Sequence, residues 1–326
     1  NGMLYLAEKR GVEKFNLQFA VHEVSLSEFH ERLPPNPFLP QEGWINGEFW
    51  CDWQAGGPIQ LSGTVDVDKA RLVNGSQEMH VEHFNSRIGW TVNAGGGWRL
   101  DFAQLQYDDG DNSWTTPSLA IARDPDDQLG LWISTDYLPL GVPVELARNI
   151  MAMHGKAWPG YLPGMATGSV SNLEVVLDRN WRLVLARGVV REAGLFEWGT
   201  WPDVQGINGE LDLGRGFGRI SLGASSLQLT WPRMFSAPLS FSFPGCEADL
   251  AWEQGWQAAL QGCRLVNEDL ALGGDVLISG NGGRPAVDAN LLVSRGKLDK
   301  LSPYWPQGIM RERALRWLRA GLLGGD

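Results

Sequence analysis

Leu173-Glu174-Val175-Val176-Leu177-Asp178 decides the fold class: Leu173, Val175 and Leu177 fall on one side of an extended chain, with Glu174 and Asp178 on the other. The same period of two continues in Leu183 and Leu185, in Leu211 and Leu213, and in Ile220 and Leu222. It returns in Leu227, Leu229 and Trp231, and again in Val287, Ala289, Leu291 and Val293, where Asp288 and Asn290 stand between. Turn signals separate the runs: Asn74-Gly75, Asp109-Gly110, Asn208-Gly209, Gly214-Arg215-Gly216 and Asn281-Gly282-Gly283. Consecutive hairpins of this kind predict a mainly β, twisted antiparallel meander. Strands of ordinary length would number roughly twenty, so the sheet must curl or divide.

Composition agrees. The 326 residues include 41 Gly and 16 Trp, and few long runs of good helix formers, as expected of many short strands joined by tight turns. A formal charge of −11, without a basic patch interleaved with aromatics, excludes nucleic acid as the expected partner. No stretch has the length of apolar sequence that a membrane helix needs, and no signal peptide is present. The chain opens mid-pattern and closes on Gly324-Gly325-Asp326, so it is expected to be a segment of a longer protein.

Two stretches carry helical spacing. Val142 to Met153 has Pro143 near its start and Leu146, Ile150 and Met153 on one face. Ile309 to Leu322 carries a stripe of Met310, Ala314, Trp317 and Leu318, with Arg311, Arg313, Arg316 and Arg319 elsewhere or at its edge. Each helix follows an aromatic Pro phrase, Tyr137-Leu138-Pro139 or Tyr304-Trp305-Pro306. The stretch around Gly97-Trp98 likewise resembles that around Gly255-Trp256. These parallels predict a sheet module closed by a helix and repeated at an offset of roughly 160 residues. The expected modules are 1–160, closing with helix 142–153, and 161–326, ending in helix 309–322.

No motif commits the chain to chemistry. Asp108-Asp109-Gly110-Asp111-Asn112 and Asp124-Pro125-Asp126-Asp127 lack the spacing and terminal Glu of a calcium loop and read as acidic turns. His80 and His83 lie an odd number apart, on opposite faces of a strand, which argues against a shared metal. Gly214-Arg215-Gly216-Phe217-Gly218 has no following helix to receive a phosphate. No catalytic residue, metal or cofactor is expected. Cys246 and Cys263 face each other across a hairpin about Glu253-Gln254-Gly255 in one register and form a disulfide. One step of slippage puts them on opposite faces as inert thiols. Most of the tryptophans precede turns or open strands and serve as sheet covers, while a minority could stack on sugars.

Leu301-Ser302-Pro303-Tyr304-Trp305-Pro306, followed by Arg316-Trp317-Leu318-Arg319-Ala320-Gly321-Leu322-Leu323-Gly324-Gly325, resembles the AsmA-like family, in particular its YhdP branch. Leu162-Pro163-Gly164 with Gly168 to Leu173, Trp201-Pro202-Asp203 to Leu211, and Trp256 through Leu270 match it in the same order. The likeness runs from about Glu42 to the end. It implies tandem sheet modules forming an open, curved hydrophobic groove, with one short helix per module. It further implies a bridge-like lipid carrier in the periplasm of a Gram-negative bacterium, held to the inner membrane by an anchor outside this segment. Its partners would be phospholipid, with acyl chains in the groove, and adjacent modules of the same chain. The family has no catalytic residues to carry over. The groove-lining candidates are then the alternating sets Leu173, Val175, Leu177, Leu183 and Leu185, then Ile220, Leu222, Leu227, Leu229 and Trp231, and Val287, Ala289, Leu291 and Val293. Met310, Ala314, Trp317 and Leu318 would mark the module-seam helix. The alternative is a Trp-rich glycan-binding or scaffolding β protein of the envelope, with exposed coplanar indoles on a polar surface.

Overall fold

The computed structural model describes residues 5–6, 14–28, 40–74, 77–123, 129–142, 144–145, 148, 151, 164–196, 202–252, 255–280 and 286–321. The chain divides into two compact units. Unit 1 comprises residues 1–158 with 171–185, and unit 2 comprises 159–170 with 186–326.

Unit 1 is a meander. Its strands are β1 (Tyr5–Leu6), β2 (Lys14–Ser25), β3 (Glu42–Gln54), β4 (Ile59–Asn74), β5 (Gln77–Val92), β6 (Trp98–Asp108), β7 (Ser113–Arg123) and β8 (Leu129–Pro139). From β2 onward each pairs antiparallel with the next. Alternation along each strand, locked by this register, lines up transverse rows. One row runs Leu17, Cys51, Leu61, Trp90, Leu100, Ile121 and Ile133, all on one face. The neighbouring row, Asn16, Asp52, Gln60, Thr91, Arg99, Ala122 and Trp132, faces the other way and is largely polar. One-residue slippage would exchange the two faces on every strand, so the pattern itself specifies the pairing.

Unit 2 repeats the plan with breaks. Residues from Ala186 onward in β10 (Leu183–Phe196) pair with β11 (Asp203–Leu213). Along β11, β12 (Phe217–Leu222) and β13 (Ser225–Thr230) lie end to end. They are matched by β15 (Cys246–Ala251) and β14 (Leu239–Phe243). Then come β16 (Trp256–Val266), β17 (Leu270–Gly280) and β18 (Ala286–Gly296). Its apolar row is Gly188, Leu211, Ile220, Ala248, Leu260, Val276 and Ala289. The remaining strand, β9 (Met165–Asp178), contributes residues 165–170 to unit 2 and 171–178 to unit 1.

The two units share their bending devices. At Glu23 (φ 49°) and Glu192 (φ 49°) the strand bulges with a non-glycine residue in the left-handed region. In both, the bulged N–H donates to an asparagine Oδ1 on the next strand: Glu23 to Asn46 at 2.7 Å and Glu192 to Asn208 at 2.8 Å. The asparagines sit in identical phrases, Ile45-Asn46-Gly47-Glu48 and Ile207-Asn208-Gly209-Glu210. Farther on, the sixth residue after Trp98 and after Trp256 is again left-handed, Gln104 (φ 55°) and Gly262 (φ 63°). A left-handed residue without glycine costs energy locally, and the side-chain acceptor offsets it, as suits a bulge that re-aims a strand. The matched positions make the chain a repeat protein in structure as well as sequence.

Little of this sheet is covered. Among the described residues only seventeen apolar side chains are buried, and seven of those are alanine. A chain of this length folded round one filled core would bury far more. The chief cluster, Leu239, Phe241 and Leu270, lies in unit 2 and packs with Leu229, Phe235, Leu265, Leu272, Leu301 and Tyr304. Helix is short. The described residues of 141–151 are helical, and Leu146, Ile150 and Met153 lie outside the described side chains. Among the described residues the C-terminal helix spans Glu312–Gly321, so it starts three residues later than expected, and Leu322 lies outside the described residues. Ile309 and Met310 form a turn whose N–H groups both reach the Pro306 carbonyl. The start is delayed because Gly308 is pinned against the Arg233–Met234 backbone, with its N–H on the Met234 carbonyl.

Candidate functional site

Each unit holds a hollow on its apolar face. In unit 2 a cavity of about 330 Å³ is lined by Val204, Ile207, Leu222, Leu227, Phe243, Leu260, Leu265, Leu272, Val276 and Leu291, with Asn208, Ser225 and Cys263. Its walls are almost wholly hydrocarbon. Leu265 and Leu272 belong both to the cavity and to the packing round the Leu239–Phe241–Leu270 cluster. That end is backed by the aromatic Pro phrase: the Tyr304 ring lies 6.0 Å from Phe241, and its hydroxyl accepts from Asn267 Nδ2 at 2.8 Å. In unit 1 a wider hollow of about 490 Å³ is lined by Leu61, Ile88, Trp90, Trp98 and Leu100. Beyond it the apolar row continues half-buried through Ile121 and Ile133. Beside it Phe49 lies flat over Gly47 and Gly63, whose missing side chains leave room for its ring, and stacks on Phe19 at 5.0 Å.

The nominated residues separate into groups. Leu222, Leu227 and Leu291 line the unit 2 cavity, and Ile220 stands in the adjoining apolar row. Leu229 is packed against the buried cluster. Trp231 sits just past β13 with its ring 6.5 Å from Phe235, edge to face. Val287, Ala289, Leu291 and Val293 share one face of β18, opposite Ile278, Val276, Gly274 and Leu272. Leu173, Val175, Leu177, Leu183 and Leu185 are half-buried and belong to unit 1, apart from the others. Along β10, Leu183 and Leu185 alternate with Ala186, and it is Ala186 that pairs with Leu213 in an apolar row of unit 2. On the C-terminal helix, Ala314 and Trp317 are exposed, and Leu318 is half-buried, as is Met310 ahead of it. The nominations passed over the whole unit 1 hollow. Its signal was present in Ile59-Gln60-Leu61-Ser62-Gly63-Thr64-Val65-Asp66-Val67, another period of two.

The polar groups make ion pairs and hydrogen bonds. On the polar face of unit 1, His83 Nδ1 meets Asp68 at 2.8 Å, and Asn85 donates to Asp66 at 2.9 Å. The hydrogen bond to Asp68 raises the His83 pKa above its ordinary 6.5, against a smaller opposing effect of burial. Asp66, Asp68 and His83 lie close enough to share a cation, though each already has a protein partner. His80 stands on the other face, against Glu78, in a pocket with Tyr107, Asp109, Asp111 and Glu145. Burial and the neighbouring Asp109 hold the Tyr107 phenol protonated. Arg99 grips Asp101 and lies over the Trp132 ring at 5.1 Å, and Trp132 Nε1 donates to Glu174 at 2.8 Å. Trp44 and Trp50 project from that polar face and are exposed.

Two apolar hollows bounded by half-exposed rows can take up hydrocarbon without polar competition. A family model described as YhdP protein matches residues 14–326. No curated protein and no solved structure matches the chain.

Proposed function

The chain belongs to the YhdP family, and from that membership and its uncovered apolar rows we propose that it shields the acyl chains of phospholipid on their way between the inner and outer membranes. The observation that carries this reading is the seven-residue row from Leu17 to Ile133. It crosses the sheet of unit 1 half-exposed, with only Trp90 more open. Water-exposed acyl chains cost roughly 0.8 kcal/mol per CH₂, so two long chains cost on the order of 20 kcal/mol. A sheet face of matching polarity removes most of that cost along its length, and the headgroup stays in water. Movement along such a face breaks no bond, so the role needs no catalytic group. We assign the transport to the periplasm. We take 1–160 and 161–326 as two copies of one sheet-plus-helix module, each with its own apolar face.

The test is extraction of the purified chain with organic solvent and native mass spectrometry of the intact protein. Co-purifying phospholipid is expected. Leu291→Asp and Leu61→Asp should each lower its amount while the β circular dichroism stays unchanged, since both side chains line hollows and are not part of the buried cluster. A chain that carries no lipid from the cell and takes none from vesicles would overturn the reading.

A further inference from the structure

The cavity of unit 2 lies on a crease. Four neighbouring strand positions carry a glycine there: Gly223 between β12 and β13, Gly245 between β14 and β15, Gly262 in β16 and Gly274 in β17. Gly245, Gly262 and Gly274 all have positive φ (120°, 63° and 152°). Pro244 precedes Gly245 and has no N–H to give to a ladder. The effect on pairing is specific. From Ala251–Gln257 the β15–β16 ladder runs to Glu247–Gln261, stops, and resumes at Ser242–Val266. Within that gap the two strands are joined by a disulfide, Cys246–Cys263, with Cα atoms 4.8 Å apart. Cys263 is itself part of the cavity wall, between Leu260 and Leu265, and Phe243 faces it from the far side of the gap. Both cysteines are half-buried, within reach of a reagent. The matching place in unit 1 has Leu105 where the Trp-based repeat puts Cys263, and β5 there runs unbroken from Gln77 to Val92.

We propose that Cys246–Cys263 is a thiol–disulfide exchange site that sets how tightly the unit 2 cavity closes on an acyl chain, a proposal that rests on the lipid-shielding reading. The reductant is a dithiol. Its thiolate attacks one bridge sulfur and expels the other, and its second thiol then resolves the mixed disulfide. The dithiol becomes a disulfide, and two electrons and two protons pass to Cys246 and Cys263. With the bridge intact, the wall formed by Leu260, Cys263 and Leu265 is tied to the start of β15, just past the Pro244-Gly245 break that follows Phe243. With it reduced, nothing joins the two strands between Glu247–Gln261 and Ser242–Val266, Cys246 and Cys263 keep only their outer pairings with Leu222 and Gly274, and the cavity opens along that seam.

The experiment uses the whole chain, with Cys51 as the one free thiol against which alkylation is counted. It is loaded with phosphatidylethanolamine carrying a nitrobenzoxadiazole-labelled acyl chain and mixed with unlabelled phosphatidylcholine vesicles. Alkylation mass reports the bridge. Release after dithiothreitol should be about ten-fold faster than from the oxidised chain, within the usual range of coupling between two sites. The double change Cys246→Ser with Cys263→Ser should release at the fast rate under both conditions. Hydrogen exchange should rise on reduction at 240–248 and 260–266 only. Equal release rates from an oxidised chain that holds lipid would overturn the clamp and leave the shielding role standing. Failure of the oxidised chain to hold lipid would remove both. A rise in exchange throughout unit 2 would make the bridge a folding staple and sink the proposal.

Discussion

The two units apply one plan in different ways, and the difference lies in their central hairpins. In unit 1, β4 and β5 pair with each other from Ile59–Val92 to Asn74–Gln77. In unit 2 the corresponding stretch is cut into β12 and β13 on one side and β14 and β15 on the other. The unbroken hairpin carries a hollow walled partly by indole rings, and the broken one a hollow walled chiefly by aliphatic side chains. Only the broken hairpin places its hollow beside a gap in the ladder, while the bulges at Glu23 and Glu192 are common to both.

The largest effect expected to break this comparison is on the cluster that backs the unit 2 hollow. Phe241→Ala should destabilise unit 2 by about 3–5 kcal/mol, the usual cost of emptying a buried aromatic site. Hydrogen exchange would show the loss in 203–280 and leave 44–123 protected. Next is a pair of glycines. A Cβ at Gly63 would stand 2.1 Å from the Glu48 carbonyl and 2.9 Å from the Phe49 ring, and at Gly223 nothing lies closer than 3.8 Å. Gly63→Ala should therefore cost roughly 1–3 kcal/mol by overpacking. Gly223→Ala should be neutral or stabilising by about 0.4–1 kcal/mol through the unfolded chain. Urea midpoints of the two variants separate these outcomes.

The asparagine caps sharpen the comparison further. Asn46→Ala leaves the Glu23 N–H without its acceptor, at about 1 kcal/mol. Asn208→Ala should cost more, because Asn208 also donates to the Glu192 carboxylate at 2.8 Å and borders the cavity. Equal costs would show that only the shared bulge matters. The smallest effect is confined to unit 1. His83 has a raised pKa, so its ion pair with Asp68 is fully present below about pH 6.5 and is lost as pH rises through the higher folded-state value. His83→Gln should erase that drift in thermal midpoint, and a drift that persists in the variant would trace it elsewhere.

Much of the fold was legible from alternation, because a one-layer sheet gives every residue a simple choice of face. Val287, Ala289, Leu291 and Val293 fell on one side in the sequence and do so in register. The Cys246–Cys263 bridge was open between two registers. The bridge sits in a ladder gap flanked by Pro244-Gly245 on one strand and the bulge at Gly262 on the other, irregularities that a period of two does not mark. Which residues bound a hollow was legible only in part. Leu229 has the same alternation as Leu227, yet it is turned into the buried cluster by Tyr304 and Leu301, more than seventy residues away in the chain. Unit 1's hollow depends on register: Leu61 of β4 stands opposite Trp90 of β5, and Trp90 opposite Leu100 of β6, a cross-strand alignment that local period cannot rank.

A sheet whose apolar face is half wet when folded has less left to expose when it melts. The heat capacity of unfolding follows newly exposed apolar surface, about 12–15 cal/mol/K per residue for ordinary globular domains. Calorimetry of the lipid-free chain should fall below that range, and lipid-loaded chain should move towards it, because the bound hydrocarbon supplies the missing interior. In thermodynamic terms the cargo stands in for a core, and the heat-capacity step across the melting transition becomes a gauge of how full the molecule is.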